Sequence, residues 1–218
     1  MNFYLTTILS LCIIVPALIG LIRFSKINEA FHPFIFCIWV GAVNEIYGTI
    51  IMYIQHSNMI NLNIYLLAES LLLLWQFRRW NLFNKNSIWL KLIMISLLIV
   101  WVVENFFIAS ITQYDSYFSI FKSTIITLMS INVINRLIVT ERRSLLKNPV
   151  FIICATFTIY YTITILSDVF WIYGINQNTI FTANVYYISV ITNFISIILY
   201  TLAILWMPIK QRFSLPSS

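Results

Sequence analysis

Apolar and polar positions fall along this chain in long blocks. Seven apolar runs, at roughly residues 3–22, 34–54, 62–77, 88–109, 116–138, 150–173 and 180–206, are separated by short polar connectors. An α-helix needs about 20 residues to cross the roughly 30 Å hydrocarbon core of a bilayer, and each run is near that length. The third run is the shortest, and Phe77 and Trp80 extend it as an interfacial aromatic belt. The pattern predicts an all-α, polytopic membrane protein, one domain over residues 1–218 with seven transmembrane helices.

Composition removes the soluble alternatives. The chain is 61% hydrophobic and 9% charged, against about 45–50% and about 25% in soluble domains. Seven spans leave only connectors and tails, with no room for a soluble catalytic, kinase or DNA-binding domain.

The formal net charge of +6 follows topology rather than nucleic-acid binding. The basic residues gather in segments 23–33, 78–91 and 136–148 and in the tail, which carries Lys210 and Arg212. Segments 55–61, 110–115 and 174–179 carry none. Under the positive-inside rule the N-terminus lies outside and the C-terminus in the cytoplasm, in a plasma or bacterial inner membrane. The first run has no basic residues before it, and Arg23 and Lys26 follow it, so it reads as a retained span rather than a cleaved signal.

Two stretches recur. HPFIFC (32–37) and NPVFIIC (148–154) open the second and sixth runs, with Pro33 and Pro149 116 positions apart. LNIY (62–65) and ANVY (183–186) open the third and seventh, and Glu45 and Asp168 sit late in the second and sixth. These matches predict a 3+1+3 parallel repeat, residues 1–80 and 115–210, joined by a linker helix at 88–109. This layout resembles the SWEET and PQ-loop sugar and amino-acid transporters, which implies a carrier. The motifs do not carry over: no Pro-Gln pair is present, and only Pro16 lies deep in a run. The chain also resembles small seven-helix proteins of bacterial membranes, a likeness from which no function follows.

Charged residues inside a membrane are costly and are functional candidates by default. Glu45, Glu69, Glu104, Lys122 and Asp168 lie in five different runs, all toward the outer side. Polar residues at helical spacing accompany them. Gly41, Glu45 and Gly48 share a face, as do Tyr65 and Glu69, and Tyr161, Thr164 and Asp168. In the last run Tyr186, Ser189, Asn193, Ser196 and Tyr200 form a stripe; in the fifth, Ser116, Ser119, Ser123, Thr127 and Ser130 run beside Lys122. Four carboxylates and one ammonium predict an outward-facing pocket for a small polar or cationic solute, or for protons. The bland alternative is a set of interhelical hydrogen bonds.

Other chemistry finds little support. The three cysteines, Cys12, Cys37 and Cys154, all lie in apolar runs and read as small hydrophobes. His32 and His56 lie at span ends, so no metal site, haem or histidine-based catalysis is expected. The last run has no lysine for a retinal. The remaining enzyme reading uses Glu69 and Asp168 as acid and base on a lipid-like substrate. The tryptophans read as interfacial belts, with Trp101 as a further candidate for the pocket wall.

The sequence therefore predicts a small-solute transporter without cofactor. The alternative is a membrane sensor or receptor subunit signalling through a protein partner docked on loops 78–91 and 136–148. Gln76, Asn132 and Asn135 extend polarity toward the cytoplasmic side and favour the carrier.

Overall fold

The computed structural model describes residues 3–83, 87–140, 145–174 and 179–209. Seven helical segments in it are long and apolar enough to cross a membrane. Span 1 is two helices, α1 (Phe3–Leu11) and α2 (Ile14–Arg23). Spans 2 and 3 are α3 (His32–Gln55) and α4 (Met59–Arg79). Span 4 is α5 (Ile88–Val103), continued by a π-helical turn over Glu104–Ile108. Spans 5, 6 and 7 are α6 (Ser116–Thr140), α7 (Pro149–Gly174) and α8 (Thr179–Trp206).

Short-range chemistry explains the helix ends. Asn28 accepts from the Ala30 amide at 2.9 Å and Asn148 from the Val150 amide at 2.9 Å. Each opens a 3-10 turn or helix just before a proline that suits the first helical turn. The turns Glu29–Phe31 and Leu145–Lys147 keep the 116-residue spacing of Pro33 and Pro149. His56 closes α3 in the left-handed region, at φ 57°.

The break in span 1 has a specific cause. Pro16 has no amide to give the Cys12 carbonyl four residues back, and its ring crowds that turn. The Cys12 carbonyl instead accepts from Val15 at 3.0 Å, and the helix restarts at Ile14. The span read as continuous over 3–22 is therefore interrupted at its middle.

The spans pack as a ring. Span 1 lies against 2 and 7, span 2 against 3, 3 against 5, 5 against 6, and 6 against 7. Span 4 packs outside this ring, on spans 3 and 5. Large apolar side chains such as Ile22, Val43, Ile64, Leu128 and Ile159 stand exposed around it, as a lipid-facing surface requires.

The two ends of the bundle differ. One, the basic end, carries Arg23, Lys26, Arg78, Arg79, Arg136 and Lys147. Lys85, Arg142, Arg143, Lys210 and Arg212 also belong to this pattern but lie outside the described residues. The other, the neutral end, carries the 56–58 and 109–115 connectors; most of the 174–179 connector lies outside the described residues. At the basic end Arg23 donates to the Ile204 carbonyl (2.7 Å) and to Leu205, closing span 7. Arg136 donates to the Trp80 (2.6 Å) and Asn81 (2.8 Å) carbonyls, closing span 3.

Candidate functional site

Two adjoining cavities occupy the neutral half of the ring. The inner one, of about 170 Å³, receives residues from every ring span and none from span 4. Span 1 contributes Ser10 and Ile13, which flank its break, and span 2 contributes Gly41, Asn44 and Glu45. Tyr65 and Glu69 come from span 3, Ser119 and Lys122 from span 5, Tyr160, Tyr161 and Thr164 from span 6, and Asn193 from span 7. The outer one, of about 240 Å³, reaches Met52, Asn58 and Tyr186 near the neutral end. Ser10, Asn44, Glu45 and Leu62 line both, so they form the neck between them.

A glycine stands on either side of the neck, Gly41 in the inner cavity and Gly48 in the outer one. A Cβ on Gly41 would sit 3.0 Å from Ile13 Cδ1 and 3.4 Å from the Tyr65 hydroxyl. A Cβ on Gly48 would overlap the Asn58 side chain. Gly41 thus lets span 1 and Tyr65 close in on one side of Glu45, and Gly48 lets Asn58 close in on the other, while the carboxylate stays in the wall.

At the base of the inner cavity Lys122 forms an ion pair with Glu69. Tyr65 donates to the other Glu69 oxygen at 3.1 Å. Lys122 Nζ also lies 5.6 Å from the centre of the Tyr161 ring. Lys122 and Tyr161 are each 2% exposed. A buried ammonium needs this combination of carboxylate and ring face to offset its lost hydration.

Glu45 differs. Among the described residues its side chain makes no hydrogen bond or ion pair, and only its backbone carbonyl is used, by Thr49 at 2.7 Å. It stands half-buried in the neck. Its neighbour Asn44 is held by Asn61, which donates to it at 2.8 Å.

The remaining candidates separate from this group. Glu104 turns to the start of span 5, where it accepts from the Tyr117 amide at 3.0 Å and from Phe118. Four amides at a helix start have no partner within the helix, and Glu104 serves two of them from a neighbouring span. It lines neither cavity. Asp168 is buried beside the cavity and accepts from the Tyr114 hydroxyl at 3.1 Å. Tyr114 lines the cavity; Asp168 does not. Glu69 and Asp168 therefore do not present together as an acid–base pair. Ser189 shares a hydrogen bond with Ser167 at 2.7 Å, and Tyr186 lines only the outer cavity.

Tyr114, Tyr160, Asn44 and Ser10 were not singled out from the sequence. Asn44 had a readable signal, because it lies three positions from Gly41 and four from Gly48. Tyr114 had none, because it reaches the cavity from a connector. Burial pushes its phenol well above the ordinary range, with the Asp168 carboxylate adding to the effect, so it stays a donor.

Trp101 does not line the cavity. Its indole donates to the Asn63 carbonyl at 3.0 Å. Asn63 Nδ2 in turn holds the Ile111 (3.0 Å) and Gln113 (2.6 Å) carbonyls, while Asn105 bonds the Asp115 side chain. This network latches the 109–115 connector to spans 3 and 4. Asp115 is fully buried, which pushes its carboxyl up to about 6 from an ordinary 3.8, with Glu104 contributing to the rise.

Toward the basic end the inner cavity meets an aromatic layer. Phe157 lies 5.8 Å from Tyr161 and from Tyr200, 6.1 Å from Phe34 and 6.3 Å from Phe77. Phe34, Phe77 and Phe157 are all buried. Gln76 does not extend a polar path here. Its side chain bonds the Phe34 amide and the Ala30 carbonyl, each at 2.7 Å. Asn132 and Asn135 are exposed on the outside of span 5. The polarity expected to continue toward the basic end is therefore a staple at span 2 and two outward-facing amides.

Among the described residues no group of three or more His, Cys, Asp or Glu side chains is placed to hold a metal ion. Comparison with protein-family models, with curated proteins and with solved structures found no match to this chain. Fold and surface together define a multi-pass integral membrane protein whose natural surroundings are lipid.

Proposed function

We propose that the chain is a carrier for a small polar or cationic solute, which enters the cavities from the neutral end. One observation carries the reading. Six spans converge on a single cavity whose neck holds Glu45, a carboxylate with no partner among the described residues. A structural cluster of polar groups satisfies itself; this one leaves its most accessible acid unused.

Two further features support it. Span 1 is interrupted beside the cavity, and discontinuous helices commonly flank carrier sites. The ring order also permits a parallel 3+1+3 repeat. Exchanging spans 1, 2 and 3 with 5, 6 and 7 turns each neighbouring pair of the ring into another. Arg23 and Arg136 exchange under the same operation, since each closes the third span of the other half. We assign the neutral end to the outside by the positive-inside rule, and read the aromatic layer as the closed inner gate.

The test is solute binding and uptake. Purified protein is screened by thermal shift at pH 5.5 and 7.5 against amines, cations, sugars, amino acids and nucleosides, beside Glu69→Gln. Hits then enter uptake assays in liposomes. A bound solute at a hundredfold excess over its dissociation constant stabilises by about 2.7 kcal/mol. Saturable uptake of a stabilising solute supports the carrier. Stabilisation by none of these solutes sinks the reading.

The closed aromatic layer favours a second reading. Binding without uptake would mean a sensor that passes its signal to a protein partner at the 78–91 and 136–148 loops. Residues 84–86 and 141–144 of those loops lie outside the described residues.

A further inference from the structure

We propose that the solute is a small primary ammonium, bound by the Glu45 carboxylate and flanked by tyrosine rings. This deepens the proposed function and rests on the cavity being a solute site.

Charge selects a cation. The inner cavity holds two carboxylates, Glu45 and Glu69, and one ammonium, Lys122. Lys122 and Glu69 neutralise each other. Glu45 remains, and a carboxyl group without a partner in this wall is held ionised by a cation brought beside it and disfavours an anion there.

The protein's own ammonium shows how these walls hold a cation. Lys122, almost wholly buried, pairs with a carboxylate and sits 5.6 Å from the Tyr161 ring centre. Tyr65 and Tyr160 bring further rings to the same space. Aromatic faces attract ammonium groups through the ring quadrupole. An incoming ammonium at Glu45 would repeat one carboxylate higher the arrangement that Lys122 adopts at Glu69.

The number of acceptors selects a primary amine. Ser10 and Asn44 stand with Glu45 in the neck. Asn44 Oδ1 accepts one bond from Asn61 and keeps a second lone pair. Three N–H donors match a carboxylate, a hydroxyl and an amide oxygen, whereas a quaternary ammonium leaves these unsatisfied. A zwitterion would need a second cation for its own carboxylate, and Lys122 is already taken by Glu69.

The experiment uses the full chain in detergent and five probes of similar size: propylammonium, tetramethylammonium, alanine, propionate and propanol. A hydrophobic carbodiimide labels accessible carboxyls, and mass spectrometry reads the Glu45 label; thermal shift is read in parallel. Propylammonium is expected to protect Glu45 and raise the melting temperature at about tenfold lower concentration than any other probe. Glu45→Gln should abolish the shift. If that variant does not fold, the protection and shift in the unaltered chain decide alone. Equal or better response to any of the other four probes overturns the ammonium assignment and leaves the cavity a solute site. No response to any of the five probes overturns the ammonium assignment, and the broader solute screen then judges the cavity separately.

Discussion

Arg23 and Arg136 perform the same act on opposite sides of the bundle. Arg23 ends the first span of its half of the chain and Arg136 lies one turn before the end of the first span of its own, and each donates to carbonyls at the close of the third span of the other half. Those carbonyls have no intrahelical partner, and a cation there also meets the negative end of the helix dipole. The two halves are thus tied crosswise at the basic end.

Removing either arginine should loosen one tie. Arg23→Ala and Arg136→Ala are each expected to lower stability by about 1 kcal/mol, read as a lower melting temperature in detergent. The sites are distant, so the double variant should show the sum of the two. Lysine should recover only part, because it lacks the planar fork that spans two carbonyls. A double variant no worse than either single would refute two separate ties.

The buried pair calls for a double-mutant cycle. Glu69→Gln leaves Lys122 buried without its counter-charge, and Lys122→Met does the converse for Glu69. Each single change should cost about 3–5 kcal/mol. Glu69→Gln with Lys122→Met should be much milder than the sum, since no charge then lacks a partner. Additive losses in chemical unfolding would show that the two side chains act independently.

Pro16→Ala should separate stability from binding. Restoring the amide lets span 1 run through Cys12 and Ile13 as a regular helix. The gain approaches about 3 kcal/mol, the difference between proline and alanine inside a helix. Ser10 and Ile13 would then leave the positions from which they line the cavity. A higher melting temperature with weakened solute stabilisation is expected; unchanged solute response would mean that the break plays no part in the site.

Gly41→Val should narrow the inner cavity beside the neck without adding charge. The added Cβ alone approaches Ile13 Cδ1 to 3.0 Å, and the γ-methyls must displace Ile13 or Tyr65. Solute stabilisation should weaken by about tenfold while the helical content measured by circular dichroism stays the same. Retained affinity would place the solute in the outer cavity only.

Asp115 predicts a pH dependence with a definite sign. Burial raises its carboxyl to about 6 in the folded protein from an ordinary 3.8. The folded state therefore holds a proton that the unfolded state has lost between these values. Stability from this group is present below about pH 4 and falls as pH rises through about 6. Compared with Asp115→Asn, the unaltered protein should lose melting temperature across that window. Parallel curves for the two proteins would refute the assignment.

Block hydropathy is a local property, so the seven spans were readable from residue order alone. All seven agree with the expected runs to within about three residues at either end, the first with a break inside it. The interruption of the first also had a local cause, Pro16, although its position needed the backbone. Level along the bundle was readable too, because it follows from distance along a helix. That is why Glu45, Glu69, Glu104, Lys122 and Asp168 formed one group in the sequence.

Level alone did not say which of them meet. Each residue turns the side chain by about 100° around the helix axis, so residues at one level can face the ring, a neighbouring span or lipid. Packing brought Glu45, Glu69 and Lys122 to one cavity, turned Glu104 to the span 5 amides, and set Asp168 behind Tyr114. It also turned Asn132 and Asn135 outward. Membership of the membrane came from the order of residues, which sums apolar surface along the chain; the site came from helix rotation and neighbour choice, which depend on contacts between residues far apart in that order.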